Sequence, residues 1–178
     1  MNAIPRDSLP ALERRGVPAR TIRAAFEPIE TDATKQTANA DDMLILAGTP
    51  GVGKSVAALL WLFDRAKGKP ECLRWVQSGD LARGYAYDQE AFASVADVYA
   101  LVIDDLGVEY LDDRGRYLST LEELLSRRFA RMRKTLLTTN ITDPAVFADR
   151  YKERLASRVS EAGAFVVCVG EDLRRRVA

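Results

Sequence analysis

Between the apolar run Met43-Leu44-Ile45-Leu46-Ala47 and the mostly apolar segment Val56–Phe63, the chain reads Gly48-Thr49-Pro50-Gly51-Val52-Gly53-Lys54-Ser55. This is a complete G-x-x-x-x-G-K-[ST] pattern. Three glycines without a Cβ let the backbone curl tightly enough for successive N–H groups to converge on an anion. Lys54 adds a point charge, and Ser55 offers a hydroxyl to Mg2+. The helix expected from Val56 onward points its positive dipole end at the same place. The preceding run suits a buried parallel strand better than a helix. Strand, glycine loop and helix in this order predict a nucleoside triphosphate site with Mg2+.

The rest of the composition restricts what such a site can serve. At 178 residues with 47% hydrophobic content, the chain can bury one sizeable core. Twenty-six basic residues balance 26 acidic ones, so any nucleic-acid surface must be local. Cys72 and Cys168 both sit in apolar runs, as buried thiols of a reducing compartment do, and with no histidine a zinc cluster is excluded. No apolar stretch approaches the roughly 20 residues of a membrane span, and the N-terminus shows no apolar signal-peptide core, so a cytoplasmic protein without membrane contact is expected.

Residues 1–40 carry Pro5, Pro10, Pro18 and Pro28 around one short candidate helix, Ala19–Phe26, and are expected to form a partly irregular N-terminal arm outside the core. Its Arg14, Arg15, Arg20 and Arg23 are either a solvated face or a contact for nucleic acid or a partner. From 41 to 178, strands are expected at Met43–Ala47, Cys72–Gln77, Ala100–Asp104, Thr135–Thr139 and Ala164–Val169. Helices fall between them. Asp113–Met132 has a clear helical period, Asp143-Pro144 reads as an N-cap followed by a first-turn proline, and Lys152–Val159 reads as a further helix. Five strands alternating with helices predict a parallel α/β sandwich.

The third strand delivers Asp104 and Asp105 to the carboxyl edge of that sheet, beside the phosphate loop. Asp104 is placed for the Mg2+ shell, and Asp105 for orienting or polarising the attacking water. Asn140, just past Thr138 and Thr139, either positions the γ-phosphate or water, or forms the turn before Ile-Thr-Asp-Pro. Arginines recur at Arg127-Arg128, Arg150, Arg154, Arg158 and Arg174–Arg176. Arg154 and Arg158 are spaced to share one helix face. An arginine lent to a neighbour's γ-phosphate is worth about 10³–10⁵ in rate, although pairing with Glu153 or Glu161 would also account for these residues.

Together these residues resemble the ATPase domain of the DnaC-like and IstB-like branch of AAA+ proteins, the bacterial and phage helicase loaders and transposition helpers. The carriers are the phosphate loop, Asp-Asp-Leu-Gly at 104–107, Arg-Arg-Phe at 127–129, Leu-Leu-Thr-Thr-Asn at 136–140 and Glu-Arg-Leu-Ala-Ser-Arg-Val at 153–159. The resemblance implies a five-stranded AAA+ sandwich without a C-terminal helical lid and an ATPase that needs Mg2+. It makes Asp104 and Asp105 the Walker B pair, Asn140 sensor 1, Arg158 an arginine finger acting in trans, and Arg174 a sensor of nucleotide. Asp105 stands where many such enzymes carry Glu, which implies slow hydrolysis. The segment Asp80–Tyr85 falls where the branch carries a helix touching single-stranded DNA, so Arg83, Tyr85 and Tyr87 become candidate DNA contacts; burial of the tyrosines against the core is the alternative. The implied partners are a replicative DNA helicase, single-stranded DNA and further copies of the chain. A transposition helper, a nucleotide-gated helicase inhibitor and, less compatibly, a small-molecule P-loop kinase share parts of this pattern.

Overall fold

The computed structural model describes residues 3–38, 40, 42–81, 83, 88–109, 111, 115–151 and 163–173. Five strands form one sheet: β1 (Met43–Gly48), β2 (Leu73–Gln77), β3 (Ala100–Leu106), β4 (Lys134–Thr139) and β5 (Gly163–Cys168). Their order is β2-β3-β4-β1-β5, and every neighbouring pair is parallel. The strand carrying the phosphate loop is therefore flanked on both sides. Because all strands run the same way, their carboxyl ends form one edge, where ligand sites in open α/β sheets gather.

Side chains alternate between the two faces of the sheet, and each face is covered. Leu44, Leu46, Trp75, Val102 and Leu136 join one apolar cluster with α4 (Lys54–Arg65), whose Leu59, Trp61 and Leu62 are buried. Ile45, Val76, Leu101, Ile103 and Leu137 join the other. That second cluster includes Tyr117, Leu121, Leu124 and Leu125 of α7 (Arg116–Ala130) and Phe147 and Tyr151 of α8 (Pro144–Tyr151). The Asp143 N-cap forms as expected: its Oδ1 accepts from the Ala145 N–H at 2.8 Å.

The N-terminal stretch differs from the sequence expectation. It holds three helices, α1 (Leu9–Arg14), α2 (Ala19–Phe26) and α3 (Asp32–Ala38), after a short 3₁₀ turn at Arg6–Ser8. Leu12, Ile22, Ala25 and Ala33 are fully buried in the cluster that contains α4. Full burial of a leucine or isoleucine is worth about 1.5–3 kcal/mol, so these helices belong to the core. The prolines that suggested irregularity start helices here: Pro10 lies in the first turn of α1 and Pro18 immediately precedes α2. The same stretch covers an open sheet edge, since the Trp75 N–H of β2 donates to the Arg15 carbonyl at 2.9 Å. Two further short helices, α5 (Ser78–Asp80) and α6 (Gln89–Ala96), lie between β2 and β3. The expected helix over 152–159 lies outside the described residues.

Candidate functional site

The phosphate loop leaves the carboxyl end of β1 and enters α4 through Gly51 and Gly53, at φ 91° and 93°. A Cβ on Gly51 would meet the Asp172 carboxylate, and one on Gly53 would lie 3.2 Å from Thr31. The loop is thus enclosed by the segments before α3 and after β5, and the Leu173 N–H donates to the Gly51 carbonyl at 3.1 Å. Lys54, only 6% exposed, points its ammonium back across the loop. It donates to the carbonyls of Gly48 at 2.6 Å and Thr49 at 3.0 Å, and to Asn140 Oδ1 at 2.9 Å. Asn140 follows β4, which pairs directly with β1, so strand order alone accounts for this meeting across 86 positions.

Ser55 faces the end of β3. Its hydroxyl donates to Asp104 Oδ1 at 3.2 Å. Asp104 is 3% exposed and also accepts from Thr138 Oγ1 at 2.5 Å and from Gln77 Nε2 at 3.3 Å. Burial pushes its carboxyl above the usual range; the Thr138 hydroxyl works against that shift, and the neighbouring Asp105 charge adds to it. A hydroxyl and a buried carboxylate in contact are hard oxygen donors that a small divalent cation would hold together, with phosphate and water filling the other positions. The donor set fits Mg2+, and the cation would relieve the buried charge.

Adjacent residues of a strand normally point to opposite faces, which would send Asp105 away from Asp104. A bulge prevents the strict alternation. Ile103 pairs with Leu137 and Leu106 with Thr139, so two residues, Asp104 and Asp105, oppose the single Thr138. Asp105 takes a left-handed backbone at φ 59°, a conformation that Asp tolerates better than most residues, and its N–H donates to Thr138 Oγ1 at 2.9 Å. Thr138 thereby serves both acids. Next in β4, Thr139 Oγ1 donates to the Leu106 carbonyl at 2.8 Å and closes the bulge.

The structure brings Gly48, Thr49, Pro50, Gly51, Val52, Gly53, Lys54, Ser55, Asp104, Asp105 and Asn140 to one edge of the sheet. Arg83 is exposed and ion-paired with Asp80 at 2.8 Å. Arg158, Arg174, Tyr85 and Tyr87 lie outside the described residues. Three other arginines of the sequence pattern are engaged inside the chain. Arg127 pairs with Asp97 at 2.7 Å, and Arg150 with Glu109 at 3.2 Å. Arg128 is fully buried and donates to the carbonyls of Val95, Val98 and Lys134 and to Thr135 Oγ1.

Sequence reasoning missed Gln77 and Glu109. Gln77 ends β2 directly opposite Asp104, and a polar residue at the carboxyl end of an otherwise apolar strand is the signal that could have found it. Glu109 has a fully buried side chain. Its carboxylate accepts from the Ser78 hydroxyl, from the Gly107 N–H at 2.8 Å and from the Tyr151 hydroxyl at 2.5 Å, while Arg150 also donates to its carbonyl at 2.8 Å. Burial opposes its charge, but the hydrogen bonds from Ser78, Tyr151 and the backbone outweigh it and hold the carboxyl below its ordinary range. Tyr117, whose hydroxyl lies 3.0 Å from Ser78 Oγ, extends the cluster onto α7.

No protein-family model and no curated protein matches the sequence. Solved structures do match. A DnaC helicase loader aligns over 89% of this chain and 90% of its own, with 23% identity and a TM-score of 0.62. A primosome component described as putative, from Streptococcus pyogenes serotype M3, aligns over 94% of this chain and 99% of its own, with 18% identity and a TM-score of 0.67. AMPPCP-bound DnaA from Aquifex aeolicus aligns over 99% of this chain but 55% of its own, with 18% identity and a TM-score of 0.62. Among the described residues no helix is long and apolar enough to cross a membrane. With its parallel β2-β3-β4-β1-β5 sheet and the phosphate loop at the end of β1, the chain has the α/β P-loop NTPase fold that it shares with these solved structures.

Proposed function

We propose that this chain is an ATP-dependent helicase loader acting in the initiation of DNA replication. The observation that carries the reading is the convergence of Lys54, Ser55, Asp104 and Asn140 at the carboxyl edge of a DnaC-like sheet. In this reading the loop N–H groups and Lys54 hold the phosphates of ATP, and Ser55 with Asp104 holds Mg2+, which neutralises charge on the β- and γ-phosphates. Asp105 polarises the attacking water, and Asn140 fixes the γ-phosphate or that water. Arg158 completes the site of an adjoining copy, and Arg174 reports on the bound nucleotide. Single-stranded DNA meets Arg83, Tyr85 and Tyr87 through phosphate contact and stacking. Slow hydrolysis in the cytoplasm then times release of a replicative helicase.

The DnaI and DnaA neighbours support this assignment: one matched DnaA is bound to both AMPPCP and single-stranded DNA. The deciding experiment measures ATP hydrolysis per subunit over a range of protein concentrations, with and without single-stranded DNA. A specific rate that climbs with concentration and with DNA is expected. Lys54→Ala should abolish ATP binding, whereas Arg158→Ala should bind ATP and not hydrolyse it. A flat rate that ignores DNA, or normal hydrolysis by Arg158→Ala, would overturn the trans arrangement. Co-purification with a replicative helicase in the ATP state tests the partner separately.

A further inference from the structure

Glu109 joins three parts of the fold that leave the site in different directions. Gly107, whose N–H it accepts, lies at the exit of the bulge that holds Asp104 and Asp105. Ser78, which donates to the same oxygen, begins the segment that runs on to Arg83. Tyr151 and Arg150, which take the other oxygen, end α8 as described, and the sequence then continues directly to Arg154 and Arg158. A buried carboxylate is a costly way to stabilise such a junction, because well-packed apolar residues of similar volume often do as well or better. What a carboxylate adds is direction: two oxygens fix donors from separate elements in one geometry.

We propose that Glu109 is a positioning residue that sets the orientation of α8, and through it the arginine this subunit supplies to its neighbour, according to the state of the Asp104–Asp105 bulge. The proposal rests on the trans-arginine reading given above. A shift at Asp105 on nucleotide exchange moves the Gly107 N–H, Glu109 follows, and Tyr151 and Arg150 carry the movement to the end of α8. The Glu109 side chain is fully buried, and both of its oxygens accept from donors of the chain itself. A defect at Glu109 therefore belongs to the subunit's role as donor and spares its role as acceptor.

Mixing experiments separate those roles. Glu109→Ala alone should bind a fluorescent ATP analogue with near wild-type affinity and hydrolyse about a hundredfold more slowly, the scale expected when a distant change misplaces a catalytic group by an ångström. Lys54→Ala cannot use its own site but still offers its arginine. A mixture of Glu109→Ala with Lys54→Ala should recover hydrolysis, as should Arg158→Ala with Lys54→Ala. Glu109→Ala mixed with Arg158→Ala should stay inactive, since both are defective donors. Tyr151→Phe removes one hydroxyl and should reproduce the pattern more mildly, which keeps the test open if Glu109→Ala folds poorly. If Arg158→Ala is rescued by Lys54→Ala while Glu109→Ala and Tyr151→Phe are not, Glu109 acts within its own site and the proposal falls alone. If Arg158→Ala needs no rescue, the trans reading falls and takes this proposal with it.

Discussion

The Lys54 ammonium donates to the side-chain oxygen of Asn140 at 2.9 Å, joining the phosphate loop of β1 to the end of its sheet neighbour β4. One group that would meet the phosphates is thus already fixed to another at the same edge. Asn140→Ala leaves Lys54 with the Gly48 and Thr49 carbonyls, so the loop keeps its shape. ATP affinity should stay within about threefold of wild type, and kcat should fall about a hundredfold, the loss typical of one polar contact that strengthens in the transition state. Steady-state kinetics beside an equilibrium titration check this. A large loss of affinity with unchanged kcat would make Asn140 a ground-state ligand only.

Asp104 is a buried carboxylate whose charge is opposed by burial and by Asp105 and supported by Thr138, Gln77 and Ser55. Its folded-state pKa lies above the unfolded one, so the folded state keeps its proton longer as pH rises. Stability without nucleotide then falls as pH climbs from the unfolded value toward the folded one. Asp104→Asn removes the charge and keeps the shape. It should raise the melting temperature of the nucleotide-free protein at neutral pH, by an amount corresponding to about 1 kcal/mol, while abolishing Mg2+-dependent hydrolysis. The gain should shrink as the pH is lowered into the carboxylate range, where the wild-type side chain is neutral too. A melting temperature that drops at every pH would show that the hydrogen bonds to Asp104 outweigh its desolvation.

How much of this was legible in the sequence depends on whether a feature is local. The loop, the helix Ala19–Phe26 and all five strands were found, because glycine spacing and apolar runs encode them within a few residues. The N-terminal helices were underrated for a physical reason. Leu12 and Ile22 sit on short helices begun by prolines and Ala33 on the seven-residue α3, and their burial depends on packing in one cluster with α4 that no local pattern reveals. The bulge at Asp105 was equally hidden: the Asp-Asp pair predicts two acids at the edge, but only the pairing of β3 with β4 shows that one of them is turned by a left-handed residue. Gln77 and Glu109 matter through partners 27 to 42 positions away, at distances where spacing says nothing.

Arg128 illustrates the same limit in reverse. The sequence shows it only as one of a recurring set of arginines, yet its guanidinium is fully buried and holds together the end of α6, the turn after it and the start of β4. Lysine offers a compact ammonium and cannot reproduce a planar fork spread over carbonyls on two sides. Arg128→Lys should lower stability by about 3 kcal/mol, since buried carbonyls lose their donors. Chemical denaturation checks this, with ATP affinity unchanged at low temperature. Stability within experimental error of wild type would mean that other donors reach these carbonyls.

Gly51 offers the sharpest test of how the loop is enclosed. Its φ of 91° is unfavourable for any L side chain, and a Cβ there would sit 1.8 Å from Asp172 Oδ1 and 3.0 Å from the Asp172 Cα. Because the Leu173 N–H is bonded to the Gly51 carbonyl, the segment after β5 cannot yield without losing that bond. Gly51→Ala therefore imposes two costs at once, backbone strain of about 1 kcal/mol and displacement of 172–173. ATP affinity should fall at least about tenfold, and protease cleavage near the C-terminus should accelerate. Asp172→Gly removes the carboxylate but leaves the 3.0 Å approach to the Cα of residue 172 and the strain, so the double variant Gly51→Ala with Asp172→Gly should regain part of the affinity and not all of it. Full recovery would assign the whole effect to the carboxylate, and no recovery would assign it to the backbone strain and the backbone contact together.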